Sequence, residues 1–468
     1  MVFGGRVRSA GVHPGKVAEG WRKWATAVLL FAVTAAVPIS MLLSVAGEVE
    51  AKPTRKITVY LGADNAYLLD WEMRMIARFE EKHPDIDVEV ITNAGSAYLD
   101  KLTSLWAAGT PPDVWGEGGA IRNYERLGWL LDLKPLVERD KDELDIEDFF
   151  PAAWAAYRIG GKQLGMPFMS VGSWLFYNAN MMEAAGLKTP PISWDDTSWT
   201  WERMAEAARK MVKFSGNRMI QAGVSVVHWS LLDIAYPWMF GGDWFPEEAY
   251  ITGHPTRTTF ARPENVRAYQ AALDLIFKEK VAWDPNNPVG PPQAFYNGQV
   301  GMLLGEGPWG MLGQKDKRKF SWGMAPVPRA TSQTKLASIV YTDPWMISSA
   351  TKDKEAAWEF VKFMTSKEVM KSYTEIAVFP PARRSAVVDY IKRISSISGH
   401  MSPQEVLIAM EGSQRYGRES IDHVIDSWLD IRPLVESGFA PMWAGQKPVQ
   451  QTLQELDQTI TARLQKRR

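Results

Sequence analysis

Residues 56–115 read KITVYLGADNAYLLDWEMRMIARFEEKHPDIDVEVITNAGSAYLDKLTSLWAAGTPPDVW, and this stretch sets the fold class. Its β-branched opening, residues 56–61, predicts a strand, and the alternation of apolar and charged residues over 86–90 predicts a second one. The helix between them must end before Pro84, because proline disfavours helical geometry in the preceding residue. A strand, a helix and a strand in this order form a βαβ unit with parallel strands. The helix carries apolar residues at helical spacing: Leu69, Met73, Ile76 and Ala77.

The same pattern recurs directly afterwards. Residues 98–106 have a helical apolar face, the sequence GTPP closes it, and residues 113–115 begin another short strand. Alternating strands and helices indicate an α/β fold, in which helices cover an open sheet. Ligands bind beyond the carboxyl ends of the strands in such sheets. The predicted ligand-facing loops are therefore 62–65, 93–96 and 115–120.

Three further amphipathic helices are predicted over residues 201–214, 354–364 and 449–464, each with one apolar stripe.

The chain has 21 tryptophans against 14 tyrosines, and indole is the largest flat apolar surface that a binding site can use. We expect most of the tryptophans to pack in the core and a few to face a ligand.

Composition limits the class of protein. The 468 residues suffice for two domains with their own cores. The 53 basic and 54 acidic residues leave a net charge of -1, whereas nucleic-acid binding requires a clear basic excess. Cysteine is absent, which excludes disulfides, thiolate metal sites and a lipid-modified cysteine. The six histidines show no metal-ligand spacing and no P-loop or dinucleotide fingerprint occurs, so we expect neither a metal nor a cofactor.

The N-terminus reads as an export segment. Basic residues up to Lys23 precede an apolar run over 25–46, and the sequence VEA at 49–51 is typical of a cleavage site. The run also has roughly the ~20 residues that span a bilayer. Residues 1–51 are therefore predicted to be either a signal peptide or an N-terminal membrane anchor.

Five sets of segments share their order and spacing with one known family. They are residues 98–114 (YLDKLTSLWAAGTPPDV), 161–167 (GKQLGMP) with 175–178 (LFYN), 185–196 (AGLKTPPISWDD), 294–309 (AFYNGQVGMLLGEGPW) and 345–360 (WMISSATKDKEAAWEF). Together they resemble the extracellular solute-binding proteins of the maltose-binding type, which serve ABC importers. The resemblance extends over nearly all of the chain after residue 51.

The resemblance implies a two-lobed periplasmic-binding-protein-like fold of type II, in which each lobe is a sheet flanked by helices and a hinge joins the lobes. The chain would cross between lobes near 166–172 and near 340–346. It also implies an exported monomer that binds a carbohydrate, an oligosaccharide above all, in the interlobe cleft. The sugar would pass to the transmembrane permease subunits of an ABC importer, at the periplasmic or extracellular face of the cytoplasmic membrane. The implied boundaries are 52–165 with 346–380 for lobe 1 and 166–345 with 381–468 for lobe 2.

A sugar site needs aromatic rings for the apolar face of a pyranose and polar groups for its hydroxyls. Trp309, in the sequence GPW, matches the family's tryptophan that stacks on the sugar. The other predicted contacts lie in the loops after strands, around the sequence FGGD at 240–243, at the second crossing and after the sequence FPP at 379–381. They are Asp64, Ser96, Trp115, Glu117, Trp238, Asp243, Glu306, Asp343, Trp345 and Arg383.

Two other interpretations stay open. Glu117, Asp243, Glu306 and Asp343 could supply the two carboxylates of a glycoside hydrolase. They belong to segments that read as binding loops, so we expect no catalytic residues and no enzymatic activity. The same fold would also serve a non-sugar solute such as a polyol phosphate, a polyamine or a metal chelate, although few basic residues occur in the predicted loops to hold a phosphate.

Overall fold

The first predicted βαβ unit is present in the computed structural model of the chain, which describes residues 55–63, 66–93, 98–116, 120–226, 234–306, 319–376 and 379–466. The strand Arg55–Leu61 pairs in parallel with Ile86–Thr92, and the helix Ala66–Lys82 connects them. The next unit is also confirmed. Helix Tyr98–Ala107 leads into strand Val114–Trp115, which pairs in parallel with the first strand.

Strands and helices alternate along most of the described chain. The strands are β1 Arg55–Leu61, β2 Ile86–Thr92, β3 Val114–Trp115, β4 Arg158–Ile159, β5 Lys162–Gln163, β6 Met166–Gly172, β7 Trp174–Asn178, β8 Lys213–Ser215, β9 Arg218–Gln221, β10 Val224–Val226, β11 Ala282–Trp283, β12 Met302–Glu306, β13 Trp322–Ala325, β14 Ser338–Ile347 and β15 Gly417–Glu419. The helices are α1 Ala66–Lys82, α2 Tyr98–Ala107, α3 Ile121–Arg126, α4 Lys134–Arg139, α5 Lys141–Leu144, α6 Pro151–Ala156, α7 Ala179–Ala184, α8 Trp201–Met211, α9 Ala235–Met239, α10 Glu247–Thr252, α11 Pro263–Leu273, α12 Pro291–Tyr296, α13 Lys354–Met364, α14 Lys367–Ile376, α15 Arg384–Ser398, α16 Pro403–Arg415, α17 Ile421–Val424, α18 Trp428–Trp443 and α19 Val449–Gln465.

Two mixed sheets carry these elements. The first has the strand order β15–β14–β3–β1–β2, and β6 also pairs with β14. The second has the order β11–β10–β12–β7–β13. In the first sheet β1, β2 and β3 are mutually parallel, and in the second β10, β11 and β12 are parallel. The fold is thus α/β with two sheets, as predicted.

The two segments predicted to cross between lobes form strands that pair with each other. β6 and β14 are antiparallel, with Gly172 opposite Val340 and Met166 opposite Trp345. After Gly172 the chain enters the second sheet, and it returns to the first sheet at Ser338. We call paired β6 and β14 the connecting ribbon.

One C-terminal strand pairs at the junction between the two sheets. Residues 381–468 are predicted to belong to lobe 2, and β15 within them pairs with residues 338–340 of β14, which the same prediction assigns to lobe 2. The segments that carry the family resemblance end before residue 381, so the sequence gives no signal for this strand. A three-residue strand is also too short to show a hydrophobic period.

Local predictions hold with two corrections. Helix α13 has the predicted bounds, and α19 runs one residue past the predicted end. Helix α8 ends at Met211 instead of 214, because residues 213–215 form one strand of the β8–β9 hairpin. The buried face of α1 is also rotated from the predicted stripe, since Trp71 and Phe79 are buried while Met73 is 45% exposed.

No helix in the described part of the chain is both long and apolar enough to cross a membrane. The predicted export segment, residues 1–51, lies outside the described residues.

Candidate functional site

The parallel strands of the first sheet bring three predicted loops to one edge. Leu61 of β1 lies opposite Thr92 of β2, and Tyr60 lies opposite Trp115 of β3. Because the strands are parallel and in this register, the segments that follow them leave the sheet side by side. This is the edge at which α/β sheets bind ligands. Three predicted contacts, Asp64, Ser96 and Glu117, follow these strands and lie outside the described residues.

The described residues at this edge hold the three strand ends together. The Ala63 amide donates a hydrogen bond to Asn93 Oδ1 at 2.9 Å, which joins the ends of β1 and β2. The Tyr98 hydroxyl donates to the Gly116 carbonyl at 2.7 Å, and the Tyr60 hydroxyl donates to the Tyr98 carbonyl at 2.9 Å. The ligand-facing loops therefore start from fixed points.

Trp115 and Trp345, both predicted ligand contacts, are buried beneath this edge. Trp115 has no exposed surface, and its ring meets Tyr124 edge-on. Trp345 is 1% exposed and packs edge-on against Phe360. A Cβ placed on Gly116 would lie 3.5 Å from the Trp345 ring, so this indole supports the backbone at the end of β3. A ring without an exposed face cannot stack on a sugar, and the structure gives both tryptophans a packing role.

The second sheet presents a corresponding edge. β10 and β12 are parallel, with Ser225 opposite Leu303, so the segments after Val226 and Glu306 leave the sheet together. The main chain of Glu306 ends β12, and its side chain lies outside the described part. Trp309, three residues further on, also lies outside it. Glu306 and Trp309, two predicted contacts, thus stand in the chain at and just after a parallel strand end, where ligand contacts are expected.

Trp238 and Asp243 belong to a stacked cluster beside this edge. The Arg418 guanidinium lies 4.2 Å from the Trp238 ring centre and 4.4 Å from that of Tyr250. Arg418 Nη1 donates to Asp243 Oδ2 at 2.7 Å, and the Tyr250 hydroxyl donates to Asp243 Oδ1. Burial and the charge of Asp243 raise the pKa of Tyr250 well above its usual value. Asp243 is therefore engaged within the protein, and Trp238 is 2% exposed under Arg418.

Arg383 was predicted to reach the cleft, but its guanidinium holds backbone of the first lobe. Nε donates to the Thr365 carbonyl at 2.7 Å, and Nη2 donates to the Leu144 carbonyl at 2.8 Å. Nη1 donates to the Asp145 carbonyl and lies 3.4 Å from Asp148. Burial lowers the pKa of Arg383, and the charge of Asp148 opposes that effect. The side chain is 3% exposed, and these contacts give it a structural role.

Asp343 lies on the connecting ribbon, opposite Met169, next to a polar cluster that the sequence did not reveal. The Thr342 amide donates to Glu419 Oε1 at 3.2 Å, and Nδ1 of buried His423 lies 2.7 Å from the same oxygen. Burial alone would lower the pKa of His423, but the charge of Asp422, the hydrogen bond to Glu419 and the charge of Asp343 raise it to about 9.

The sequence analysis missed Arg418, Glu419, His423 and Tyr250. Arg418 and Glu419 lie in β15, which has no sequence signal, and Arg418 meets Asp243 across 175 residues of chain. Contacts of this kind depend on the pairing of β15 with the connecting ribbon. Among the described residues, no group of three or more His, Asp or Glu side chains could hold a metal ion.

The arrangement is suited to binding. Two sheets each end in a set of adjacent loops, and one ribbon joins the sheets. Of the carboxylates considered for glycoside hydrolysis, Asp243 is engaged by Arg418 and Tyr250, which leaves it poorly placed to transfer a proton.

Comparisons with known proteins agree with this geometry. Residues 65–371 match the model of the family described as bacterial extracellular solute-binding protein. A putative binding protein of Brucella abortus is 24% identical over 326 residues, which cover 67% of this chain and 72% of that protein. A lactose-binding protein of Rhizobium radiobacter is 23% identical over 304 residues, covering 62% and 66%.

A solved structure extends the comparison. It is an ABC substrate-binding protein from Listeria monocytogenes in complex with cycloalternan. The present chain is similar to it with a TM-score of 0.74 and 26% identity, over 88% of this chain and 99% of that one.

Proposed function

The chain belongs to the bacterial extracellular solute-binding proteins, and from that membership we propose that it binds a carbohydrate, foremost an oligosaccharide, between the loop edges of its two sheets. The observation that carries the proposal is the matched pair of parallel strand ends, one on each sheet, joined by the connecting ribbon. The relatives support the class of ligand, since one is named for lactose and a similar structure holds cycloalternan.

The proposed contacts come from both edges. Trp309 supplies the ring on which a pyranose stacks, because an indole covers the apolar face of the sugar. The sugar hydroxyls need hydrogen-bonding groups, which are supplied by Asp64, Ser96, Glu117 and the Glu306 side chain. The three carboxylates among them form stronger hydrogen bonds than neutral groups do. Asp343, which lies on the connecting ribbon opposite Met169, is a further polar candidate for contact with the sugar.

We infer that the protein releases its sugar to the transmembrane permease subunits of an ABC importer and works as a monomer outside the cytoplasmic membrane. It performs no chemistry on the sugar. The engagement of Asp243 by Arg418 supports this point, because a general acid or base needs access to the glycosidic oxygen or a water.

Thermal unfolding tests the proposal. The protein as isolated after export is heated alone and with a panel of maltose-, lactose- and arabinose-based oligosaccharides, and each mixture is analysed for cleaved sugar. A ligand that binds only the folded state raises the free energy of unfolding by about 2.7 kcal/mol at a hundredfold excess over Kd, and the Tm rises with it. We expect one sugar class to raise the Tm with no new product.

Two results would overturn the proposal. Release of a shorter sugar would identify an enzyme. No shift with any sugar, together with a shift from a polyol phosphate or a polyamine, would assign the site to a non-sugar solute.

A further inference from the structure

A cavity of about 630 Å³ lies at the opposite edge of the second sheet from the proposed sugar site. It is lined by Asn178, the last residue of β7, and by Phe320, two residues before β13. β12 and β13 run antiparallel to β7, so the end of β7 and the starts of β12 and β13 share this edge. The sugar-facing segments leave from the other end of β12, roughly 15 Å away at about 3.3 Å per residue.

The rim of this cavity is cationic. Lys210, Lys213 and Lys319 line it, and none of the described residues that line it is acidic. The two carboxylates that approach the adjacent Arg209, those of Glu202 and Glu279, are engaged by it at 2.7 and 2.8 Å. Across the described part of the chain, none of the three lysines takes part in an ion pair. Three like charges facing one cavity repel each other, and an anion between them would relieve the repulsion.

The floor of the cavity is apolar. Met181 and Ala184 of α7, Met211 at the end of α8 and Phe320 contribute it. One polar side chain of the lining is engaged within the protein, because Asn178 Oδ1 accepts the Met181 amide and caps α7. The cavity therefore combines a positive rim with a hydrophobic base, and its volume is in the range of small-molecule sites.

We propose that this cavity binds a phosphate monoester with an apolar body. The phosphoryl group meets the three ammonium groups, which act as compact point charges toward phosphate, and the apolar body covers the methionine and phenylalanine side chains. Dissolved phosphate monoesters and the monoester headgroup of phosphatidic acid share this chemistry. The cavity is separate from the proposed sugar site, so each proposal can be tested without the other.

Calorimetric titration with phenyl phosphate tests the site directly. The protein as isolated after export should bind the probe saturably at low salt, and binding should weaken as salt screens the exposed lysines. The variant Lys210→Gln/Lys213→Gln/Lys319→Gln should lose at least about tenfold in affinity. The control Lys335→Gln/Lys354→Gln/Lys392→Gln removes the same charge from exposed lysines outside the cavity and should bind as the unmodified protein does.

Vesicles distinguish the two sources of phosphate. Binding of phenyl phosphate without cosedimentation on vesicles that contain phosphatidic acid assigns a dissolved monoester. Cosedimentation with those vesicles but not with phosphatidylcholine, lost in the cavity variant alone, assigns a lipid headgroup. Equal affinity in the cavity and control variants, or no saturable binding of either probe, refutes the site. The sugar-induced Tm shift should be the same in all three proteins, which separates this outcome from a failure of the sugar proposal.

Discussion

His423 illustrates how one buried side chain can join distant parts of the chain. Its Nδ1 contacts Glu419 of β15, and the Glu419 carboxylate also accepts hydrogen bonds from the Thr342 amide and hydroxyl on β14. An imidazole in an apolar interior would normally be neutral. Here the acidic groups that face it, Glu419, Asp422 and Asp343, keep it charged, and the Tyr157 ring packs 6.4 Å away.

The charge on His423 predicts a pH-dependent stability. Because its pKa is about 9 in the folded protein and about 6.5 when unfolded, the stabilisation is fully present below about pH 6.5 and is lost as the pH rises through 9. The difference corresponds to an upper limit on the order of 3 kcal/mol. Urea unfolding of the His423→Gln variant between pH 6 and pH 9.5 should show a smaller decline than the unmodified protein.

The exposed His400 supplies the matched control. His400→Gln should leave the pH dependence of the unfolding free energy as it is. Identical slopes in the His423→Gln and unmodified proteins would show that the imidazole is already neutral in the folded state.

Trp309 carries the second prediction at this scale. Trp309→Ala should weaken sugar binding by about tenfold or more, because the ring face and its buried area are both lost, whereas Trp309→Phe should retain part of the affinity. Titration calorimetry with the sugar found in the thermal panel measures both. Unchanged affinity in the alanine variant would remove Trp309 from the site.

Residue roles were predicted less well than residue positions. Trp115, Trp238 and Trp345 are predicted ligand contacts, yet the fold buries all three rings. The sequence shows that an indole lies near a strand end, but its orientation depends on neighbours from other elements, such as Phe360 for Trp345 and Arg418 for Trp238. Asp243 is similar, since its partner Arg418 lies in an unpredicted strand.

At the scale of elements, hydrophobic periodicity was sufficient where a strand or helix is long. β1, β2, α2 and α13 follow their predicted bounds closely, because each is long enough to show its hydrophobic period in the sequence. β15 was missed since its three residues belong to the first sheet only through pairing with β14. The rotated face of α1 also depends on tertiary packing. The helix has apolar residues on more than one side, and its contacts with the first sheet and α14 determine which of them are buried.

The connecting ribbon provides a prediction at this scale. Gly172 ends β6 against α16, and a Cβ there would lie 2.5 Å from Ser413 Oγ. Gly172→Ala should lower the free energy of unfolding by about 1–3 kcal/mol through overpacking. Chemical unfolding measures the change.

A double variant checks the cause. Gly172→Ala/Ser413→Gly removes the blocking side chain and should recover part of the loss, so that the two effects are not additive. Gly290→Ala is the control, since a Cβ at Gly290 meets nothing within 4 Å. Simple additivity in the double variant would place the cost of the alanine elsewhere.

At the scale of the whole molecule, the α/β class, the two sheets and the two segments that run between them were predictable. The assignment of residues 381–468 to lobe 2 stays a prediction, because the segments that carry the resemblance end before them. Their positions follow from long-range contacts such as that of Arg383 with the Leu144 carbonyl. Such contacts leave no periodic trace in the sequence.

Ligand binding should change the distance between the lobes. The sequence contains no cysteine, so a thiol-reactive spin label attaches only to cysteines that are introduced. The exposed positions Lys134→Cys and Lys278→Cys provide one labelled pair. A sugar that contacts both loop edges favours the arrangement in which they are close, and the distance distribution should shift and narrow. The pair Lys134→Cys and Lys354→Cys, both in predicted lobe 1, should not respond. An unchanged distribution in the first pair, at a sugar concentration that raises the Tm, would exclude closure on binding.

The connecting ribbon also has a consequence for modularity. Every strand of the second sheet lies between residues 174 and 325, while Gly172 and Val340 face each other across a strand pair, about 5 Å apart. In topological terms, the second sheet is inserted between the two strands of an antiparallel pair. A segment inserted at this point could change in length without altering the strand order of the host sheet. The same junction is a natural place to graft a reporter domain whose signal would follow the loading of the protein.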